Sequence, residues 1–173
     1  MTTTEATSDV ILCDKCGKGH PRAESEIFFK RPDPFLEVPE EQRDARTKAD
    51  DDLCMIDRTR FFVRCVLPIP VSDGGKDYCW GVWAEVTEAS FRRILELWSA
   101  ADQTDHPPID ATLANEMPYY GETYGLRVAL RLTGPTTRPT VSLVDEHPVL
   151  SGQQRHGVAR SEVLAFSHSR VGV

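Results

Sequence analysis

Two segments with apolar residues at alternate positions, joined by a short polar turn, limit what this chain can fold into. Residues 60–69 and 78–86 place apolar side chains at every second position, and the turn between them contains Ser-Asp-Gly-Gly. A period of two bounded by Gly and Asp is typical of a β-hairpin. Trp80 and Trp83 fall on opposite faces of the second strand, and usually only one face packs on the core. One tryptophan therefore lies beneath a loop or lines a surface groove, and Gly81 allows another backbone or ring to approach closely.

The segments around this hairpin predict a single α+β domain. Further strands are predicted at 53–56, 124–133 and 140–144, which gives an antiparallel sheet of about five strands. Thr87 is a good helix N-cap and precedes an apolar stripe with helical spacing, formed by Phe91, Ile94, Leu95 and Trp98. We expect this main helix, 87–99, to pack on one face of the sheet.

The remaining segments have weaker patterns. The prolines between residues 21 and 39 indicate an ordered loop rather than a regular helix. Pro39 begins a short predicted helix that ends at Arg46, with acidic residues in its first turn. Residues 109–123 are predicted as a loop, and a weak apolar pattern at 160–168 predicts a C-terminal helix.

Composition and charge restrict the function classes. The chain has 173 residues, 40% of them hydrophobic, and a net charge of −7. This length suits one domain, and an acidic surface repels phosphate backbones, so we expect no nucleic-acid partner. No apolar run approaches the roughly 20 residues that span a bilayer, and the N-terminus lacks the pattern of a signal peptide. We therefore predict a cytoplasmic domain at 10–173, without membrane contact, behind a disordered tail at 1–9.

The most specific motif is a Cys-x2-Cys turn followed by glycine. Cys13 and Cys16 have the spacing of a zinc knuckle, and His20 follows closely enough to be a third ligand. A structural zinc site needs four ligands. The chain offers other cysteines, His147 or a carboxylate, and we favour Cys54 because it lies on a short strand beside acidic residues. Inert thiols and a redox pair are the alternative interpretations of the turn.

A second candidate site combines acidic residues with a histidine. Asp52 and Asp57 belong to an acidic cluster, and His147 follows an acidic pair. Carboxylates can bind a cation or act as acid and base, and a histidine beside acidic residues can be a base. A solvated charged face and a capped loop histidine are the alternative interpretations. The sequence therefore leaves open a small-molecule-binding or enzymatic site near Trp83, Asp52, Asp57 and His147.

The order of these motifs resembles a known bacterial family. The Cys-x2-Cys-Gly-x2-His segment is followed by Asp52-Leu53-Cys54-Met55-Ile56-Asp57, then by Phe61-Phe62-Val63-Arg64, Trp80-Gly81-Val82-Trp83 and His147-Pro148. This arrangement spans residues 10–165 and is similar to the domain of unknown function family DUF2199. No single motif carries the resemblance, which depends on the whole order.

The resemblance implies a single bacterial domain without an assigned activity, and no catalytic residues can be carried over. It also implies that Cys13, Cys16, His20 and Cys54 belong together, because all four match motif positions, whereas Cys65 departs from the family pattern. The leading hypothesis is a non-enzymatic, protein-binding or regulatory module with a structural zinc. The competing hypothesis is the small-molecule-binding or enzymatic site described above.

Overall fold

The computed structural model describes residues 10–12, 19–21 and 26–167. The predicted disordered tail and the turn with Cys13 and Cys16 lie outside these residues. The strands are β1 Val10–Leu12, β2 Gly19–Pro21, β3 Thr47–Ala49, β4 Leu53–Ile56, β5 Arg60–Ile69, β6 Tyr78–Val86, β7 Ile109–Leu113, β8 Arg127–Arg131 and β9 Thr140–Leu143. The helices are α1 Asp33–Glu37, α2 Glu40–Arg46, α3 Glu88–Leu97, α4 Leu150–His156 and α5 Arg160–Ser167, with a 3-10 turn at Gln103–Asp105.

Seven of these strands form one sheet that closes on itself. Their order is β3-β4-β5-β6-β7-β8-β9, with antiparallel neighbours, and an additional parallel pairing joins β9 to β5. β5 has ten residues, so its first part pairs with β4 while Val66 pairs with Thr140 of β9. Strands β5 to β9 therefore form a barrel, and β3 and β4 extend the sheet beyond it. The separate β1–β2 pair is antiparallel, with Leu12 opposite Gly19.

The predicted central hairpin forms one wall of this barrel. β5 and β6 pair from Phe61 opposite Val86 to Ile69 opposite Tyr78. The period of two is confirmed, since the inward positions of both strands are buried: Phe61, Val63, Cys65, Leu67, Ile69, Tyr78, Trp80, Val82, Ala84 and Val86. Burial of one large apolar side chain stabilises a fold by roughly 1.5–3 kcal/mol. This wall is therefore a major part of the core.

The main predicted helix is confirmed as α3, which packs on the barrel. Thr87 caps its N-terminus, and Phe91 contacts Phe61 with ring centroids 5.1 Å apart. The predicted apolar stripe is wrong at one position, because Leu95 is 44% exposed whereas Leu97 is buried. The helix is rotated so that Leu97, rather than Leu95, faces the core together with Ile94.

The α+β class is confirmed, but the sheet is larger and the helices are more numerous than predicted. All five expected strands and the helices at 40–46 and 160–167 are present. β7 lies in a segment predicted as a loop, because the alternation of Ile109, Ala111 and Leu113 is short and follows two prolines. α4 was not predicted, since it contains Gly152 and mainly polar residues besides the buried Leu150. α1 is only five residues long and lies in the proline-containing segment.

Candidate functional site

Residues 27–29, which precede α1, lie over part of the outer face of β6, and we call them the cover. Gly81 donates its N–H to the Ile27 carbonyl and accepts from the N–H of Phe29, both at 2.8 Å. A Cβ at Gly81 would lie 2.5 Å from the Cβ of Phe28, closer than such atoms approach in proteins. The prediction that Gly81 allows a close backbone approach is therefore confirmed. Residues 27–29 run beside β6 as a short parallel partner.

Trp83 lies beneath this segment and is fully buried. Its indole N–H donates to the Phe29 carbonyl at 2.9 Å, and its backbone N–H donates to Oδ1 of Asn115 at 2.7 Å. The Asn115 side-chain amide donates in turn to the Arg31 carbonyl and to the carboxylate of Asp33. Of the two alternatives that the sequence left open, cover by a loop is confirmed, and a surface groove lined by this tryptophan is wrong.

A groove of about 300 Å³ lies next to this covered tryptophan, and we call it the outer-face groove. Its lining residues are Glu26, Ile27, Phe28, Arg64, Val66, Cys79, Gly81 and Arg138. The guanidinium carbon of Arg64 lies 5.0 Å from the ring centre of Phe28, whose side chain is 49% exposed. Nη1 of Arg64 donates to the Asp51 carbonyl at 3.2 Å. Nε of Arg64 is buried and has no hydrogen-bond partner among the described residues.

The charges around the outer-face groove act on Arg64 in opposite directions. Burial, followed by the nearby positive charge of Arg138, lowers the pKa of Arg64, and the carboxylates of Asp52 and Asp51 act the other way. Nε of Arg138 is itself paired with Asp52 at 2.7 Å. A partly buried guanidinium is stabilised by an acceptor that carries negative charge. The groove therefore has the chemistry of a site for a small anion.

The predicted metal ligands fall on different parts of the chain. Cys13 and Cys16 lie outside the described residues, and His20 lies on β2, opposite Ile11. Cys54 lies on β4 and is almost fully buried. Burial raises the pKa of the Cys54 thiol to about 11. Within the part of the chain that the structure describes, no three His, Cys, Asp or Glu side chains come together as a metal site would require.

His147 uses both of its ring nitrogens in local hydrogen bonds. Nδ1 accepts from the backbone N–H groups of Val149 and Leu150, at 3.2 and 3.0 Å, where α4 begins. Nε2 lies 2.8 Å from the Gly121 carbonyl. Because the carbonyl can only accept, Nε2 carries the proton and Nδ1 is the acceptor. Both nitrogens of this buried ring are thus occupied, which agrees with the alternative interpretation of a capping residue.

The two acidic residues of the second candidate site have arginine partners. Asp57 lies in the turn between β4 and β5, where its two carboxylate oxygens accept from Arg46 at 2.8 and 2.6 Å. This pairing lowers the pKa of Asp57. Asp52 is paired with Arg138 at the edge of the outer-face groove. Trp83 is buried and bonded to Phe29. Trp83, Asp52, Asp57 and His147 thus each have their own structural partners and do not contact one another as a single site would require.

Sequence reasoning missed the residues that build the outer-face groove. Arg64 is a charged residue at an outward position in the middle of a mainly apolar strand, and Phe28 is an aromatic residue in a proline-containing segment. Both were visible as exceptions to their local pattern. Their proximity depends on how residues 27–29 pair with Gly81, which no local pattern reports.

Comparisons with known proteins identify a family. Among the residues that the structure describes, no helix is long and apolar enough to cross a membrane. No curated protein and no solved structure shows a significant match to the chain. The model of one family matches residues 12–158, and its description is an uncharacterised protein conserved in bacteria. Since this match covers most of the sequence, the order of motifs noted above does reflect common descent, and the chain belongs to the bacterial DUF2199 family.

Proposed function

We propose that this chain is a protein-binding module whose N-terminal hairpin is stabilised by a zinc ion. The carrying observation is the antiparallel pairing of β1 and β2, with Leu12 opposite Gly19. This pairing brings together the two ends of the segment that contains Cys13 and Cys16. His20 follows directly on β2, so the hairpin supplies three zinc ligands from a short stretch, as structural knuckles do.

The packing of the β1–β2 hairpin bears on which residue can be the fourth ligand. β1 packs against α5, whose Phe166 contacts Tyr78 at the start of β6. Tyr78 pairs with Ile69 of β5, whereas Cys54 pairs with Phe62, seven residues earlier on the same strand. At about 3.3 Å per residue this corresponds to roughly 23 Å along β5. This separation argues against Cys54 as the fourth ligand, and the Cys54→Ser variant below decides its role.

The surface of the outer-face groove supports a binding role. Phe28 is half-exposed and lies against the guanidinium of Arg64. Aromatic residues and arginine are enriched in protein–protein interfaces, where they often make the largest contributions to affinity. The backbone that carries Phe28 is held in place, because Ile27 and Phe29, on either side of it, are both hydrogen-bonded to Gly81.

Zinc content and thermal stability, measured together, test the metal part. We expect about one zinc per chain in protein purified without chelator, by mass spectrometry of the metal. Cys16→Ala should lose the zinc and lower the melting temperature. Cys54→Ser should do the same if this thiol is the fourth ligand. Cys65→Ala is the matched control, since Cys65 is a fully buried barrel thiol and its loss should affect stability without removing metal.

Two results would contradict the metal part of the proposal. One is folded wild-type protein with far less than one zinc per chain after preparation in zinc-containing buffer. The other is a Cys16→Ala variant that keeps its metal. A Cys54→Ser variant that retains zinc would leave the hairpin site in place and assign its fourth ligand to another residue.

A further inference from the structure

We propose that the outer-face groove binds a carboxylate group, held by the guanidinium of Arg64 with Arg138 on the other side and the Phe28 ring above it. This inference rests on the binding role proposed above and does not depend on the zinc. It names the chemistry of the group that enters the groove. The source of the carboxylate is either a small organic acid or the side chain or C-terminus of a partner protein, and the experiment below distinguishes them.

Arg64 has unmet hydrogen-bonding capacity. Its Nη1 reaches only a backbone carbonyl, that of Asp51, and its buried Nε has no partner among the described residues. A buried polar group without a partner is rare in proteins, because its desolvation is not compensated. A carboxylate accepts two parallel hydrogen bonds from a guanidinium. A ligand in the groove would therefore satisfy Nε and compensate the positive charge at once.

Phe28 lies over Arg64 with a side chain that can change rotamer while its backbone stays in place. The ring of Phe28 is half-exposed and stacks over the guanidinium. A different rotamer of Phe28 would expose more of the guanidinium to a ligand, while the backbone on either side stays paired with Gly81. Val66 and Cys79 also line the groove. The volume of about 300 Å³ suits a carboxylate with a short apolar body.

The charges around the groove favour one class of anion over another. Glu26 lines the same groove, and the carboxylate of Asp52 is paired with Arg138 at its edge. These negative charges penalise a phosphate dianion more than a carboxylate, which carries a single charge. The whole chain has a net charge of −7, which acts in the same direction. Because Arg138 is already paired with Asp52, Arg64 compensates one incoming charge more readily than two.

The experiment follows the side-chain Nε–H of Arg64 by ¹H–¹⁵N correlation spectroscopy on the full-length protein. Three probes are titrated separately: propionate, inorganic phosphate, and a short neutral peptide in two forms, with a free or an amidated C-terminus. We expect propionate or the free-acid peptide to shift the Arg64 Nε–H and the Gly81 amide in a saturable manner. Inorganic phosphate should bind more weakly than whichever of propionate and the free-acid peptide binds more tightly. The amidated peptide should bind at least tenfold more weakly than its free acid.

Variants connect the binding to the guanidinium. Arg64→Gln should weaken carboxylate binding at least tenfold, judged by the Gly81 amide, because it removes a charge-assisted pair of hydrogen bonds. Arg64→Lys should give an intermediate affinity, since it keeps the charge and loses the planar fork. Arg127→Gln is the matched control, because Arg127 is exposed, pairs with Asp145 and lines a different groove. It should leave the affinity unchanged.

The outcomes separate the two sources and can overturn the inference. Tighter binding of the peptide than of propionate assigns the carboxylate to a partner protein, and the reverse order assigns it to a small acid. The inference is wrong if no carboxylate gives a saturable shift, if Arg64→Gln binds as well as wild type, or if phosphate binds more tightly. If Arg64→Gln does not fold, Arg138→Gln gives the same test at the other side of the groove. Zinc measured in the same samples shows whether the metal proposal fails separately.

Discussion

The inner and outer faces of the β5–β6 hairpin both bury a tryptophan, but by different means. Trp80 faces the barrel interior, where its neighbours are the rings of Tyr78, Tyr120 and Phe166, at centroid distances of 5.1–5.7 Å. Trp83 faces outward and is covered by irregular chain that binds it through two directed hydrogen bonds. The inner face depends on apolar packing, whereas the outer face depends on backbone geometry and polar bonds.

This difference explains why the outer face carries the candidate site. Apolar packing in a closed barrel leaves little room for a ligand, since protein interiors are close-packed. Irregular chain that lies over a sheet leaves a groove along its margin, as between Phe28 of the cover and Arg64 of β5. Beside this irregular chain, Nε of Arg64 has no hydrogen-bond partner among the described residues.

The largest effect is expected on the inner face. Trp80→Ala should lower the free energy of unfolding by about 4 kcal/mol, because removal of a fully buried tryptophan loses its apolar contacts and leaves a cavity. Urea denaturation measures this change. Trp98→Ala, at the C-terminal end of α3, is the control, and the loss of this half-buried side chain should lower the free energy of unfolding clearly less. A loss below about 2 kcal/mol for Trp80→Ala would mean that the barrel interior is not the main source of stability.

A smaller loss is expected where the cover approaches β6. Gly81→Ala should cost about 3 kcal/mol, because the new Cβ meets Phe28 and the two segments must separate. Hydrogen exchange should accelerate at the Phe29 amide, which donates to the Gly81 carbonyl. Gly152→Ala is the matched control, since a Cβ there has no neighbour within 4 Å and alanine favours a helix. Equal effects of the two substitutions would show that the cover does not press on Gly81.

The polar support of the cover should contribute less than its packing. Asn115→Ala should cost about 2 kcal/mol, because it leaves the buried N–H of Trp83 without its acceptor. It also frees the carbonyl of Arg31 and one oxygen of Asp33. Amide hydrogen exchange on this variant measures how readily the cover opens. If the cover opens more slowly than the barrel, Asn115 does not hold the outer segments in place.

The sequence predicted the inner wall far better than the outer cover, for a physical reason. Alternation at Phe61, Val63 and Cys65 is a local signal, since each strand exposes one face to the core regardless of distant segments. The burial of Trp83 depends instead on residues more than 30 and 50 positions away, at Asn115 and Phe29. Such contacts leave no periodic trace in the sequence.

The candidate site was predictable only in part for the same reason. Alternation in β7 was present in the sequence but short, so its alanine and two polar residues gave a weak signal. The acidic residues Asp52 and Asp57 were noticed, but their arginine partners Arg138 and Arg46 come from other elements. The Cys13 and Cys16 motif stays a prediction, because it depends on local spacing that only a metal measurement tests.

The smallest of these effects is expected at a feature that is encoded locally and belongs to neither face. Thr87 accepts a hydrogen bond from the N–H of Ser90 at 3.1 Å, which caps α3. Thr87→Ala should lower the free energy of unfolding by about 1 kcal/mol, the usual contribution of a threonine cap. Ser90→Ala is the control, because the capping bond uses its backbone N–H and survives the substitution. If urea denaturation gives the two variants equal losses, the side chain of Ser90 stabilises the helix start as much as the cap does. A loss at Thr87 as large as that at Gly81 would instead mean that α3 is coupled to the cover, and that the two faces of the hairpin do not act separately.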